Sequence, residues 1–132
     1  MDGHYRLYGG DISYFTGKAR AYFRRKGIPF EELRATREVY KEIILPRVGW
    51  AVVPVVVTPE DETLQDTTEI IDALEARFPE QSVYPEGPRQ RLAALLLEVY
   101  GDEWLKIPAM HYRWNHNTDW IIEQFGRLSK PT

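Results

Sequence analysis

The alternation of apolar and polar residues at positions 5–8 predicts a short β-strand, which Gly9 ends. Between about residues 16 and 26 the apolar side chains recur instead at helical spacing: Ala19, Tyr22 and Phe23. Gly27 predicts the end of this helix, because glycine readily adopts the left-handed conformation of a helix cap. The first part of the chain therefore predicts a strand followed by a helix.

The next segments predict two further strands with a weak helix between them. Residues 30–34 favour a second strand, and residues 36–44 favour a helix that ends before Pro46. The apolar run at residues 52–57 predicts a buried third strand. Since proline cannot donate to a sheet ladder, Pro54 must begin this strand or lie on an exposed edge.

A very short fourth strand is predicted at residues 63–64, and Asp66 predicts the start of the helix that follows. The spacing of Asp66 and Glu69 matches a capping box, in which the aspartate accepts from the Glu69 amide. One face of this helix is apolar: Ile70, Ile71, Leu74 and Phe78. The order of elements predicts an α/β fold with a four-stranded mixed sheet and flanking helices.

The pattern changes after residue 80. Residues 81–88 form a linker that contains proline and glycine, and no strand pattern follows it. Residues 89–106 predict a strong helix, which Pro108 should bend or end. Its apolar side is formed by five residues: Leu92, Leu95, Leu96, Val99 and Tyr100.

A last helix is predicted at residues 118–125, and it is too short to close a helical bundle. We therefore expect one α/β domain at residues 1–80. Residues 81–132 would form a partial, incomplete all-α domain whose remainder is missing from this chain.

Composition excludes several classes of function. The chain of 132 residues has a net charge of −3, so no broad basic field is available for nucleic acid. It contains no cysteine, which excludes disulfides, thiolate metal sites and redox chemistry of protein thiols. No signal-type run or segment of membrane-spanning length is present, so we expect a cytoplasmic protein without a membrane partner.

Three features, in this order and spacing, resemble the soluble glutathione S-transferases: residues 14–20 after the first strand, Val53 with Pro54 opening the third, and Gln65 with Asp66 at the next helix start. That family joins a thioredoxin-like N-terminal domain to an all-helical C-terminal domain. The resemblance is detailed over about residues 5–78. It implies glutathione as co-substrate, a small hydrophobic electrophile as substrate, and a homodimer.

The resemblance implies that the Val53–Pro54 bond is cis and that its backbone pairs with the cysteinyl unit of glutathione. Lys41 lies where family members often place a cation against the glycyl carboxylate. Trp50 is a second contact expected in this irregular segment. Solvated charge and ordinary packing are the alternatives for these two side chains.

At the helix start, Gln65 fits the family pattern and Asp66 departs from it, because serine usually holds the γ-glutamyl carboxylate there. A second carboxylate at that place is repulsive. Three interpretations remain open. Thr67 or Thr68 supplies the hydroxyl, Asp66 binds the ammonium group of the ligand, or Asp66 is only a helix cap.

Two residues compete for the catalytic position after the first strand. Tyr14 resembles the tyrosine-type members of the family, and Ser13 lies at the place of the serine- or cysteine-type residue. Either hydroxyl would donate a hydrogen bond to the glutathione sulfur and lower the pKa of its thiol. We prefer Ser13, because the helical pattern begins directly after it and Tyr14 would point to the opposite face.

Two classes of function follow. The first is a glutathione transferase that activates the glutathione thiol for attack on an apolar electrophile. The second is a non-catalytic module for dimerisation or protein assembly, or an inactive fragment of a longer transferase. No metal is expected in either case, because His111 and His116 are five residues apart and do not share a helix face.

Overall fold

The computed structural model describes residues 3–128. Within that range the chain forms two compact units. The first holds the described residues up to Pro79 together with those from Gly126 onward, and the second is Glu80–Phe125. The division into domains at residues 1–80 and 81–132, whose outer limits lie beyond the described residues, stays a prediction.

Four strands of the first unit form one mixed sheet: β1 (Tyr5–Gly9), β2 (Phe30–Arg34), β3 (Val55–Val57) and β4 (Thr63–Gln65). The strand order is β2-β1-β3-β4, with β1 parallel to β2 and both other pairs antiparallel. The predicted four-stranded mixed sheet with flanking helices is confirmed. The third strand begins at Val55 rather than Val52, because Pro54 offers no N–H to the ladder.

The helices of the first unit are α1 (Tyr14–Lys26), α2 (Arg37–Val39), a π-helical turn (Tyr40–Ile44), α3 (Leu45–Val48) and α4 (Thr67–Arg77). Gly27 ends α1 in the left-handed conformation, with φ 66°, as predicted. The prediction that the second helix ends before Pro46 is wrong. Pro46 lies in the first turn of α3, which follows the π-helical turn without a break.

The central strands are buried on both faces of the sheet. Tyr8, Val55 and Val57 belong to one apolar cluster, which also contains Ile44. By strand alternation Leu7 and Val56 point to the opposite face, and both are fully buried. This explains why all three residues of β3 are apolar.

A buried polar bridge joins α1 to α4. Lys26 Nζ lies 3.0 Å from Glu75 Oε1, and the side chains of the two residues are 2% and 9% exposed. The Tyr22 hydroxyl donates to the same carboxylate oxygen at 2.6 Å, and Lys26 also donates to the Phe78 carbonyl at 2.6 Å. The bridge ties α1 to the last turn of α4.

The second unit and the residues after it are helical: α5 (Pro88–Val99), a second π-helical turn (Tyr100–Trp104), α6 (Lys106–His116) and α7 (Thr118–Leu128). The predicted break near Pro108 is confirmed, since Pro108 lies in the first turn of α6. No residue of α5 is buried, and its leucines are exposed. Over the described residues, no helix is long and apolar enough to cross a membrane.

Candidate functional site

The register of the sheet brings three chain segments together at one end of the sheet, where strands start or finish. Tyr8 pairs with Val55, and Val55 pairs with Gln65. The end of β1, the start of β3 and the end of β4 therefore lie side by side. We call this part of the sheet, around Gly9, Val55 and Gln65, the site edge. Because α1 follows β1 and α4 follows β4, both helices begin there.

The N-terminus of α1 carries both predicted catalytic residues. Ser13 is the N-cap, and its Oγ accepts from the Thr16 amide at 3.2 Å. Tyr14 is the first helical residue, and its ring contacts Phe15 edge-on at a centroid distance of 5.3 Å. A hydroxyl that accepts a hydrogen bond through its oxygen can still donate its own proton to a second group. Ser13 is half-buried and lies at the positive end of the helix dipole. Its hydroxyl proton is available for donation to a ligand.

A close approach between β1 and α1 fixes this N-terminus. A Cβ atom at Gly9 would lie only 2.3 Å from Thr16 Cγ2. Thr16 is fully buried, and its hydroxyl has no hydrogen-bond partner among the described residues. Only glycine at position 9 lets the first turn of α1 lie this close to the end of β1. Sequence analysis identified Gly9 only as the end of a strand.

The segment before β3 has the geometry expected from the resemblance. The Val53–Pro54 peptide bond is cis. Pro54 is buried and Val53 is half-buried. The described ladders begin at Val55, so the backbone of Val53 lies outside them, next to the site edge.

The turn from β4 into α4 holds three of the predicted binding residues in succession. Gln65 ends β4, Asp66 is the N-cap with φ 71°, and Thr67 is the buried first residue of α4. The predicted cap is present, but its donor is different. Asp66 Oδ1 accepts from the Thr68 amide at 2.9 Å rather than from Glu69, because an aspartate at positive φ turns its short side chain toward the nearer amide.

The remaining predicted contacts lie on the segment between β2 and β3. Lys41 and Trp50 are exposed, and Trp50 is 57% accessible. Lys41 follows Tyr40, which packs into the same apolar cluster as Val53. Burial raises the pKa of the Tyr40 phenol. The expected cation is therefore exposed and directly follows a residue that packs on the same apolar cluster as Val53.

A cleft of about 440 Å³ lies beside the N-terminus of α1, at the ends of β1 and β2. It is lined by five residues: Gly9, Gly10, Asp11, Glu32 and Arg34. Arg20 of α1 forms a bidentate pair with Glu32 at 2.7 and 2.6 Å, and this hydrogen bonding raises the pKa of the Arg20 guanidinium. Sequence analysis missed this cleft, because the pattern of β2 predicted only a strand.

Comparison with known families decides the classification. Residues 7–82, more than half of the 132 residues, match the model of the family described as "Glutathione S-transferase, N-terminal domain". The chain belongs to the glutathione S-transferase family. A comparison with curated proteins finds no significant match.

Solved glutathione transferases share the fold. A glutathione S-transferase from Methylobacterium radiotolerans, in complex with glutathione sulfonate, is 26% identical with a TM-score of 0.66, over 73% of this chain and 45% of that one. A glutathione S-transferase from Rhodospirillum rubrum is 25% identical with a TM-score of 0.69, over 75% and 45%.

A glutathione transferase homolog from Sulfitobacter, with bound glutathione, has a TM-score of 0.70 at 16% identity, over 88% of this chain and 57% of that one. At this identity the likeness shows the fold alone. The chain spans about half the length of the solved transferases that it matches.

Proposed function

We propose that the chain binds glutathione at the site edge and activates its thiol for attack on an apolar electrophile. The observation that carries this proposal is the convergence of two helix N-termini and the Val53 backbone at one end of the sheet. Glutathione is an extended peptide with carboxylates and an ionisable thiol. Helix N-termini favour such anionic groups.

The cysteinyl unit of glutathione pairs with the backbone of Val53. An extended peptide gains affinity by adding its main-chain hydrogen bonds to a free backbone edge. Val53 is a suitable partner because it precedes β3 and lies outside the described ladders. The ligand would extend the pairing that begins at Val55.

The γ-glutamyl group is held at the start of α4. This group carries both an ammonium and a carboxylate. The start of α4 offers a partner for each, because a charged side chain, Asp66, lies between two neutral polar ones, Gln65 and Thr67. Asp66 is exposed and binds the ammonium through charge-assisted hydrogen bonds. Thr67, with the first-turn amides of α4, binds the carboxylate, and Gln65 supplies a neutral hydrogen bond. Lys41 is our candidate for the glycyl carboxylate, and Trp50 is a second candidate contact.

The thiol is activated by Ser13. A hydrogen bond from its hydroxyl, together with the dipole of α1, stabilises the thiolate over the thiol. Lowering the thiol pKa by two units from about 8.5 requires roughly 2.7 kcal/mol. The thiol proton leaves to solvent, the sulfur forms a bond to the electrophilic carbon, and the leaving group takes the electron pair. Tyr14 is the alternative donor.

A thermal-shift measurement tests this function. Because the native chain binds glutathione and the unfolded chain does not, millimolar glutathione must raise the melting temperature. Glycine at the same concentration controls for non-specific effects of a zwitterion. An unchanged melting temperature at ten millimolar glutathione contradicts the proposal.

A non-catalytic role in dimerisation or assembly is the second candidate, and one observation favours it. The leucines of α5 are exposed to an unusual extent: Leu92, Leu96 and Leu97 are 59%, 61% and 69% accessible. A large exposed apolar face marks an interaction surface. Sedimentation velocity combined with a transferase assay separates the two roles: a wild-type chain that dimerises but has no transferase activity, with dimerisation unchanged in Ser13→Ala and Tyr14→Phe, supports the second.

A further inference from the structure

Two histidine rings meet at the end of α6. The ring centroids of His111 and His116 lie 5.3 Å apart at an interplanar angle of 70°, and both side chains are exposed. The prediction that these two residues do not share a helix face concerns where the side chains leave the backbone, whereas the rings themselves lie close together. Five residues separate the backbones, but the side chains lean toward each other.

Tyr112 explains this convergence. Its ring lies 5.5 Å from that of His111 and 5.3 Å from that of His116, so the three rings form a triangle. His116 is also the last residue of α6, because Asn117 leaves the helical conformation with φ −132°. The helix therefore adds no further turn over His116, and its imidazole is able to fold back onto Tyr112.

Asn115 fixes the orientation of the His111 ring. Its side-chain amide nitrogen lies 2.8 Å from His111 Nδ1. In this arrangement the amide nitrogen donates, Nδ1 accepts, and the ring proton is on Nε2. After a half-turn of the exposed amide, its oxygen faces the same ring atom, which then carries the proton. In that tautomer Nε2 of His111 has a free lone pair. Metal-binding histidines commonly use their second ring nitrogen to donate to such an oxygen.

We propose that His111 and His116 form a surface site for a divalent transition-metal ion such as Zn²⁺, Ni²⁺ or Cu²⁺. Metal–nitrogen bonds to imidazole are about 2.0–2.1 Å long, and a tetrahedral angle between two of them separates the ring centroids by about 5 Å. The observed separation of the two ring centroids, 5.3 Å, is close to this value. Imidazole nitrogen selects these ions over Mg²⁺ and Ca²⁺.

The protein supplies two ligands and water supplies the others. Over residues 3–128, no three histidine, cysteine, aspartate or glutamate side chains converge on a common point. The site is therefore open, and its affinity is set by the two imidazoles. It does not depend on glutathione binding, and its test stands apart from the test of the proposed function.

The chain offers a clean experiment, because it has three histidines and no cysteine. We would titrate the untagged full chain with ZnCl₂ by isothermal titration calorimetry. One ion per chain is expected, with affinity reduced at least tenfold in each of His111→Gln and His116→Gln. The exposed His4 provides the matched control, and His4→Gln is expected to bind as the wild type does.

Two further measurements test the contribution of Asn115 and the selectivity of the site for transition-metal ions. Asn115→Ala is expected to weaken Zn²⁺ binding about tenfold, since partners of ligating histidines contribute 10- to 100-fold. MgCl₂ is expected to give no heat of binding. Binding that is equal in wild type, His111→Gln and His116→Gln overturns the proposal, as does a complete absence of Zn²⁺ binding.

Discussion

Tyr8 pairs with Val55 across the antiparallel β1–β3 ladder. This single pairing places Pro54 beside the end of β1, and the pairing of Val55 with Gln65 adds the start of α4 to the same edge. A slip of one residue would turn every side chain of β3 to the other face of the sheet. Such a slip would also move Pro54 and Gln65 relative to Tyr8, so the register of these two ladders assembles the site.

Ser13 and Tyr14 differ in their expected contribution to the thiol. In Ser13→Ala the pKa of the thiol of bound glutathione is expected to rise by about one unit. This rise corresponds to roughly 1.4 kcal/mol of lost thiolate stabilisation. Tyr14→Phe is expected to leave it unchanged. Ultraviolet absorbance of the thiolate, followed against pH with saturating glutathione, measures both. The opposite pattern would assign the role to Tyr14.

Asp66 is expected to attract glutathione rather than repel it. Asp66→Asn keeps an oxygen that accepts from the Thr68 amide, so the helix cap survives while the charge is lost. Glutathione affinity should fall about tenfold, because a charge-assisted hydrogen bond contributes roughly 1.5–3 kcal/mol. Calorimetric titration checks this, with the exposed Asp72→Asn on the same helix as control. Tighter binding by Asp66→Asn would show that the carboxylate only repels the ligand.

Gly9 is expected to tolerate no side chain. In Gly9→Ala the new methyl group would overlap Thr16, which is buried, so the free energy of unfolding should fall by about 1–3 kcal/mol. Gly17→Ala is the matched control within α1, since a Cβ there meets nothing within 4 Å. It should raise stability by about 0.5–1 kcal/mol. Urea unfolding measures both, and equal effects of the two substitutions would contradict the close approach.

The bridge between Lys26 and Glu75 is expected to matter mainly when only one partner is lost. Lys26→Met leaves the Glu75 carboxylate buried without its cation and should lower the free energy of unfolding by about 3–5 kcal/mol. Arg24→Met, an exposed cation on the same helix, should change it little. The double variant Lys26→Met, Glu75→Gln should recover part of the loss. Without such recovery, the loss would have to come from packing or from the missing hydrogen bond to the Phe78 carbonyl.

Local sequence pattern predicted the four strands and the helices α1 and α4, but it did not predict α6. The cap at Gly27 and the N-cap at Asp66 follow from the conformational preferences of single residues, whereas β3 begins directly after Pro54, three residues later than predicted. Pro46 misled the same reasoning, because proline is as acceptable in the first turn of a helix as it is after the last. The π-helical turn before Pro46 decides between these two positions for the proline. Such a turn has no simple sequence pattern, so it could not be predicted.

The parts of the site that depend on contacts between distant segments were not predictable. The overlap of Gly9 with Thr16 and the pair of Arg20 with Glu32 require the packing of α1 on the sheet. The meeting of His111 with His116 depends on side-chain rotation at a helix end, whereas helical spacing describes only where side chains leave the backbone.

Binding of glutathione at the site edge is the central claim, and amide chemical shifts in a ¹H–¹⁵N NMR titration test it most directly. Addition of glutathione to the labelled chain should shift the amides of Tyr14, Val53, Thr67 and Thr68, which lie at the site edge. The amides at the opposite end of the sheet, around Tyr5 and Val57, should stay in place. Absence of shifts at millimolar glutathione, or shifts confined to α5 and α6, would contradict the account.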